Sequence, residues 1–240
     1  MTQKNKNTSI CIFHHLGLGD TIECNGMIRH YTEKYDFVDI FSYFHNYDNV
    51  KKMFSDNKKI RIHKINFDKE GQEVKKFLSK YLGEVIVPGH ESYFNNLNYY
   101  HKNKMSCGEA FYKIANISFE YRNKKFFLKR NIENEKILYK KINPENEKFI
   151  FVHDDPSRSL IINKNDYRSD LKIIKNNPDY NIFDLIYTLE NAEEIHCMPS
   201  SILCLIDCLT ELCNFNKLFL HNIRNVFIGP NSLSNNWKII

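Results

Sequence analysis

Hydrophobic positions along the chain alternate between two rhythms. A short apolar run with β-branched members, "TSICIF" (8–13), reads as a buried strand. After it, "DTIECNGMIRHYTEKY" places Ile22, Met27, Ile28 and Tyr31 near helical spacing. The pair of rhythms then repeats. "FVDIFSYF" (37–44) predicts a second strand, "NYDNVKKMFSDN" a helix and "KIRIHKIN" (59–66) a third strand. "GQEVKKFLSKYL" predicts a further helix, and "EVIVPG" (84–89) a fourth strand closed by Pro88 and Gly89. Strands alternating with helices in this order build a parallel sheet with crossover helices.

Residues 90–130 are richer in Tyr, Phe and Asn, with a helix expected at "CGEAFYKIANI". The stretch 129–148, "KRNIENEKILYKKINPENEK", is polar, charged and interrupted by Pro144, and it reads as a connection. Strand patterns resume at "FIFVHDD" (149–155), "DLKIIKNN", "EEIHCMP" (193–199) and "KLFLHNI" (217–223). Helices are expected at 181–192 and at "SSILCLIDCLTEL" (200–212), the latter capped by Ser200 or Ser201. The expected fold class is α/β: two Rossmann-like β/α/β lobes facing a cleft. An N-terminal lobe covers 1–130, a linker 131–147 and a C-terminal lobe 148–240.

Composition narrows the function classes. With 42% hydrophobic and 14% aromatic residues, 240 residues can bury a sizeable core, and only the polar "MTQKNKN" start is expected to fray. No apolar run approaches the ~20 residues of a membrane span and no signal-peptide pattern opens the chain, so a soluble, cytoplasmic protein is expected. Seven cysteines at irregular spacing contain no CxxC pair, which argues against a zinc ribbon or a thioredoxin motif. They are expected to be free, small buried hydrophobes, as a reducing compartment permits. The net charge of +5 is spread along the chain. A nucleic-acid surface needs basic residues gathered on one face, whereas an anionic small ligand needs only a few.

The chemistry concentrates in three stretches. In "FHHLGLGDTIECNGMIRHY" (13–31), a dinucleotide fingerprint would need a third glycine where Ile22 stands, and a phosphate loop would need a Lys-Ser/Thr pair. What remains is Gly17 and Gly19, which let backbone approach a ligand, and Asp20 at the mouth of a helix. Asp20 either caps that helix and interacts with its positive end, or faces the ligand as a general base. His14 and His15 are neighbours on extended backbone, so at most one of them faces the same side as the loop. In "FVHDDPSRS", His153 ends a strand and Arg158 follows a proline turn, either as a phosphate-binding fork or as the partner of Asp154 in a surface ion pair. In the turn before 200–212, Ser200 and Ser201 either cap the helix or offer hydroxyls and free N–H groups to an anion.

The stretch "LGLGDTIECNGMIRHYTEKYDFVDIFSYFHNYDNVKKMFSDNKKI" resembles the N-terminal lobe of heptosyltransferase-like GT-B glycosyltransferases, in which a G-x-G-D loop after the first strand leads into a helix. The Ser-Ser turn is similar to one in fucosyltransferase-like GT-B proteins, and the chain lacks the Asp-x-Gly-x-x-His pattern of the heptosyltransferases there. The resemblance implies a metal-independent glycosyltransferase that moves a sugar from a nucleotide-sugar donor to a hydroxyl acceptor, a glycan of the lipopolysaccharide or capsule type. It implies Asp20 as the base; the loop around it, with His15, Gly17 and Gly19, then reads as the acceptor side. It implies His153, Arg158, Ser200 and Ser201 at the donor phosphates. No cofactor and no metal are expected, and a metal on Asp154 and Asp155 is the lesser alternative. A non-catalytic nucleotide-sugar or sugar-phosphate binding protein is the rival from another class, and a single-sheet Rossmann enzyme a third.

Overall fold

Ile10, Cys11 and Ile12 are buried on both faces of the first strand, β1 (Ser9–Ile12), as befits the interior of a parallel sheet. The chain is seen in a computed structural model that describes residues 8–168, 170–210 and 212–240; the polar start expected to fray lies outside them. Around β1 stand β2 (Phe37–Tyr43), β3 (Ile60–Ile65) and β4 (Glu84–Ile86), in the order β3-β2-β1-β4 and all parallel. The core on one face gathers Cys11, Leu16, Phe41, Tyr43, Ile65 and Val74. Because β1 and β4 are parallel neighbours, the loops that follow them emerge side by side at the carboxyl edge, where open α/β sheets hold their ligands.

The single helix expected after β1 is two, Leu18–Glu23 and Asn25–Tyr31, which meet at Cys24. The break has a visible cause. The hydroxyl of Tyr112 sits at the joint, accepting from the Met27 N–H (2.9 Å) and donating to the Glu23 carbonyl (3.0 Å). Gly26 permits the close approach of a neighbouring segment, since a Cβ there would lie 1.9 Å from the Tyr121 carbonyl oxygen.

A second sheet holds β5 (Phe149–His153), β6 (Lys172–Lys175), β7 (Glu194–Cys197), β8 (Lys217–Leu220) and β9 (Trp237–Ile239), in the order β6-β5-β7-β8-β9, again all parallel. The α/β class with two parallel sheets is therefore as the sequence pattern implies. Strand β9 was not expected. It is three residues long and is held by the buried Asp207 carboxylate, which accepts from the N–H groups of Ser234 and Asn235 and from Trp237 Nε1.

The chain divides into two compact units after Lys129, and the expected linker 131–147 does not behave as one. Its centre is a helix, Ile132–Ile142, that Asn131 caps, and it belongs to the second unit. The charged composition conceals one inward carboxylate: Glu135 is fully buried and meets Arg130, which also holds Glu190 and touches Cys213. None of the seven cysteines is in a disulfide; five are buried and Cys107 and Cys204 are partly exposed. Among the described residues, no helix is long and apolar enough to cross a membrane.

Candidate functional site

The loop leaving β1 turns at Gly17 into the helix Leu18–Glu23, and Asp20 occupies its first turn. Asp20 does not cap the helix in the expected way. Gly17, which has no side chain, holds the N-cap position, and Asp20 contributes its charge to the positive helix end from the first turn. Gly17 is also needed by the aspartate: a Cβ there would stand 2.5 Å from Asp20 Oδ2. The glycine leaves space for the carboxylate itself to fold back over the loop. Gly19 lies in the same first turn, half-buried.

Two segments remote in sequence converge at this point, the loop after β1 and the start of the helix Cys107–Ile114. A side-chain nitrogen of His15, a carboxylate oxygen of Asp20 and the sulfur of Cys107 all lie within 4.8 Å of one another. Cys107 opens the helix Cys107–Ile114, whose start is fixed by a reciprocal pair: Ser106 accepts from the Glu109 N–H, and Glu109 accepts from the Ser106 N–H. Burial, and then the charge of Asp20, push the Cys107 thiol up to about 12. The same charge reaches Tyr43 and Tyr93, both raised first by burial and then by their own hydrogen-bond partners, Glu70 and Cys107. The charge of Asp20 is therefore felt by two phenols and a thiol, and an imidazole stands beside it.

The two adjacent histidines part as extended backbone requires. His14 is fully buried, its Nδ1 against the His15 carbonyl, and His15 turns to the site. The His15 ring is clamped between Phe94, stacked at 5.3 Å, and the edges of His90, Tyr93 and Phe111. Burial and the charge of His90 lower its pKa to about 4, so the ring is neutral near pH 7. Gly89 permits this contact, because a Cβ would come within 2.7 Å of the His15 backbone nitrogen. His90 follows in the left-handed region at φ 50°, with Nε2 donating to the His14 carbonyl at 2.9 Å. Sequence reading named none of His90, Tyr93 and Cys107 as a site residue, although the aromatic and polar segment 90–112 that holds them resembles a sugar-facing surface as much as a packed core. The signal was topological: the Pro88-Gly89 turn follows β4, next to β1.

These histidines give a testable pH dependence. Burial drives His14 from 6.5 down to about 4. Between those values the unfolded chain takes up a proton that the folded chain refuses, so stability is lost as pH falls from about 6.5 to about 4. His14 alone accounts for on the order of 3 kcal/mol. His15, and in the second unit His153, also pushed to about 4 by burial, act in the same sense. Asp39 acts elsewhere. Burial would raise it, but hydrogen bonds from His63, Arg61 and Tyr81 hold it at about 2, so its contribution is lost only below 3.8. Urea midpoints at pH 7.5 and pH 4.5 should show a marked drop at the lower pH, smaller in His14→Gln. A flat profile contradicts the burial argument.

In the second unit, His153 and the serine turn meet at the carboxyl edge of the sheet. His153 pairs with Cys197 across β5 and β7, and its carbonyl accepts from the Met198 N–H at 3.1 Å. Ser200 caps the helix Ser201–Cys208, accepting from the Leu203 N–H at 3.5 Å, and its Oγ lies 3.7 Å from Cys197 Sγ. Ser201 is the helix's first residue. Arg158 is more committed than expected, and to another partner. It pairs with Asp155 inside a tight turn closed by the Asp155–Leu160 bridge, while Asp154 pairs with Lys175 at 2.8 Å. Both aspartates thus face cations, which disfavours the metal alternative for that pair. Arg224, missed in the sequence, reaches the serine turn directly by donating to the Pro199 carbonyl at 2.8 Å.

No protein-family model matches the chain, and no curated protein matches its sequence significantly. Solved structures do match its fold. The glycosyl transferase family 9 protein from Veillonella parvula superposes with a TM-score of 0.60 at 8% identity, covering 97% of this chain and 86% of that one. The ADP-heptose lipopolysaccharide heptosyltransferase II of E. coli gives 0.51 at 8% identity, over 97% and 90% of the two chains. At this identity the likeness is one of fold, that of an α/β chain with two parallel sheets.

Proposed function

We propose that the chain is a glycosyltransferase that uses a nucleotide-sugar donor, with Asp20 as the general base on the acceptor hydroxyl. The observation that carries this reading is the placement of Asp20. Its carboxylate lies in the first turn of the helix after β1, over a glycine and beside the neutral ring of His15, while Gly17 holds the N-cap position. The fold likeness to two solved glycosyltransferases supports it.

In this reading the acceptor O–H gives its proton to Asp20 while the oxygen attacks the anomeric carbon. The bond from that carbon to the donor phosphate breaks, and the nucleoside diphosphate leaves with the electron pair. Ser200, Ser201 and the free N–H groups at the start of Ser201–Cys208 take the part that the resemblance to fucosyltransferase-like proteins implies, binding the diphosphate. Arg224 stands next to that turn and joins Arg158 and His153 as a donor-side residue. The reaction needs no metal in this scheme.

A thermal-shift screen against ADP-, UDP- and GDP-sugars tests it. One nucleotide class is expected to raise the unfolding temperature, by as much as about 2.7 kcal/mol of stabilisation at a hundredfold excess over Kd. The gain should shrink in Arg224→Ala and in Ser200→Ala. If no nucleotide or nucleotide sugar shifts the transition, the donor assignment fails.

A further inference from the structure

The convergence of His15, Asp20 and Cys107 is a donor set of a particular kind: one imidazole and one carboxylate from the loop after β1, and one thiol from the start of the helix Cys107–Ile114. Their ligating atoms lie within 4.8 Å of one another. Ligands at 2.0–2.3 Å around a tetrahedral ion stand roughly 3.3–3.8 Å apart, so side-chain rotations of about 1 Å close the set.

The surroundings favour a ligand role for each group. His15 Nε2 is screened from solvent and has no hydrogen-bond partner among the described residues. A buried ring nitrogen in that condition calls for an explanation, and a bound ion is one. The ring is held on four sides by aromatic groups, so its lone pair is already oriented. Cys107 is fixed at a capped helix start, and Gly17 leaves space in which the Asp20 carboxylate can shift. Sulfur and nitrogen ligands exclude Mg2+ and Ca2+, which take oxygen, and a Cys-His-Asp set with an open fourth position suits Zn2+.

We infer that His15, Asp20 and Cys107 form a Zn2+ site on the loop after β1, and that zinc bound there switches the site off by occupying the Asp20 carboxylate. Binding converts the Cys107 thiol to a thiolate, and the proton goes to solvent, one per zinc. The ion's charge opposes that of Asp20 and makes the deprotonation possible. The inhibitory consequence rests on the proposed role of Asp20 as base; the binding itself does not.

The test titrates Zn2+ into the metal-free full-length chain against a chromophoric chelator, with neither donor nor acceptor present. Co2+ serves as an optical probe of thiolate ligation. One equivalent is expected to bind, more tightly as pH rises, by about tenfold per unit for the single proton released. Cys107→Ala and His15→Ala should each weaken binding by at least about 10–100-fold and abolish the thiolate-to-cobalt band. Cys204→Ala, in the second unit, should change neither. Should Cys107→Ala fail to fold by circular dichroism, Cys107→Ser keeps the size of the side chain and is measured instead. Undiminished zinc binding in both His15 and Cys107 variants, or no stoichiometric binding in the parent chain, overturns the site. Transfer that continues at full rate in the zinc-loaded protein overturns the switch, and with it the role of Asp20, while leaving the metal site standing.

Discussion

Asp20→Asn is expected to keep the fold and the donor affinity while slowing sugar transfer by about 10²–10⁴-fold, the range that loss of a positioned general base costs. The amide is isosteric, so the space that Gly17 leaves is filled as before. What disappears is the basic oxygen. The negative charge felt by Cys107, Tyr43 and Tyr93 disappears with it, so the Cys107 thiol should titrate at lower pH in the variant. That second readout separates loss of charge at this position from general damage. A variant with parental turnover removes Asp20 from the chemistry.

Arg130 carries the largest expected effect on stability. Its guanidinium bridges Glu135, fully buried, and Glu190, both through paired contacts. Arg130→Met leaves two carboxylates facing each other with the charge between them gone. Breaking a buried pair from one side costs about 3–5 kcal/mol, because the remaining charge stays desolvated. Arg130→Lys retains the charge without the fork and should fall between parent and Met variant. Trp237, the sole tryptophan, lies in the second unit and reports its unfolding by fluorescence in urea. An unchanged midpoint in Arg130→Met shows that the cluster does not hold that unit together.

Much of the fold was legible because parallel sheets write themselves plainly. The runs that became β1 and β5 are apolar on both faces, β2 and β7 are buried although they carry Asp39, Ser42, Glu194 and His196, and eight of the nine strands among the described residues lie within stretches that read as strands. Elsewhere the deciding interaction was remote. Nothing local to residues 18–31 breaks the helix at Cys24; the Tyr112 hydroxyl, some ninety positions away, does. The segment 132–142 reads as a connection because the stretch around it is polar, charged and interrupted by Pro144, and the charge that matters, Glu135, is neutralised by Arg130. Strand β9 follows a polar stretch and depends on Asp207, which a sequence shows only as a charge inside an apolar helix.

The candidate site divides the same way. Asp20, Gly17 and His15 were legible from the loop after β1, and the glycine is also needed by the aspartate. His90, Tyr93 and Cys107 were not, since only the adjacency of β1 and β4 brings their segments to the loop. Arg158 was singled out for its residue type, but its turn folds it onto Asp155, whereas Arg224 reaches the serine turn from the loop after β8.

The most direct test of the central claim follows the donor itself. The chain is incubated with the nucleotide sugar that stabilises it, a mixture of carbohydrate acceptors and a metal chelator, and both products are followed by mass spectrometry. The account predicts nucleoside diphosphate and glycosylated acceptor in equal amounts, with both absent when Asp20→Asn replaces the parent. A donor that binds and stays intact through prolonged incubation contradicts it, and makes the chain a binding protein.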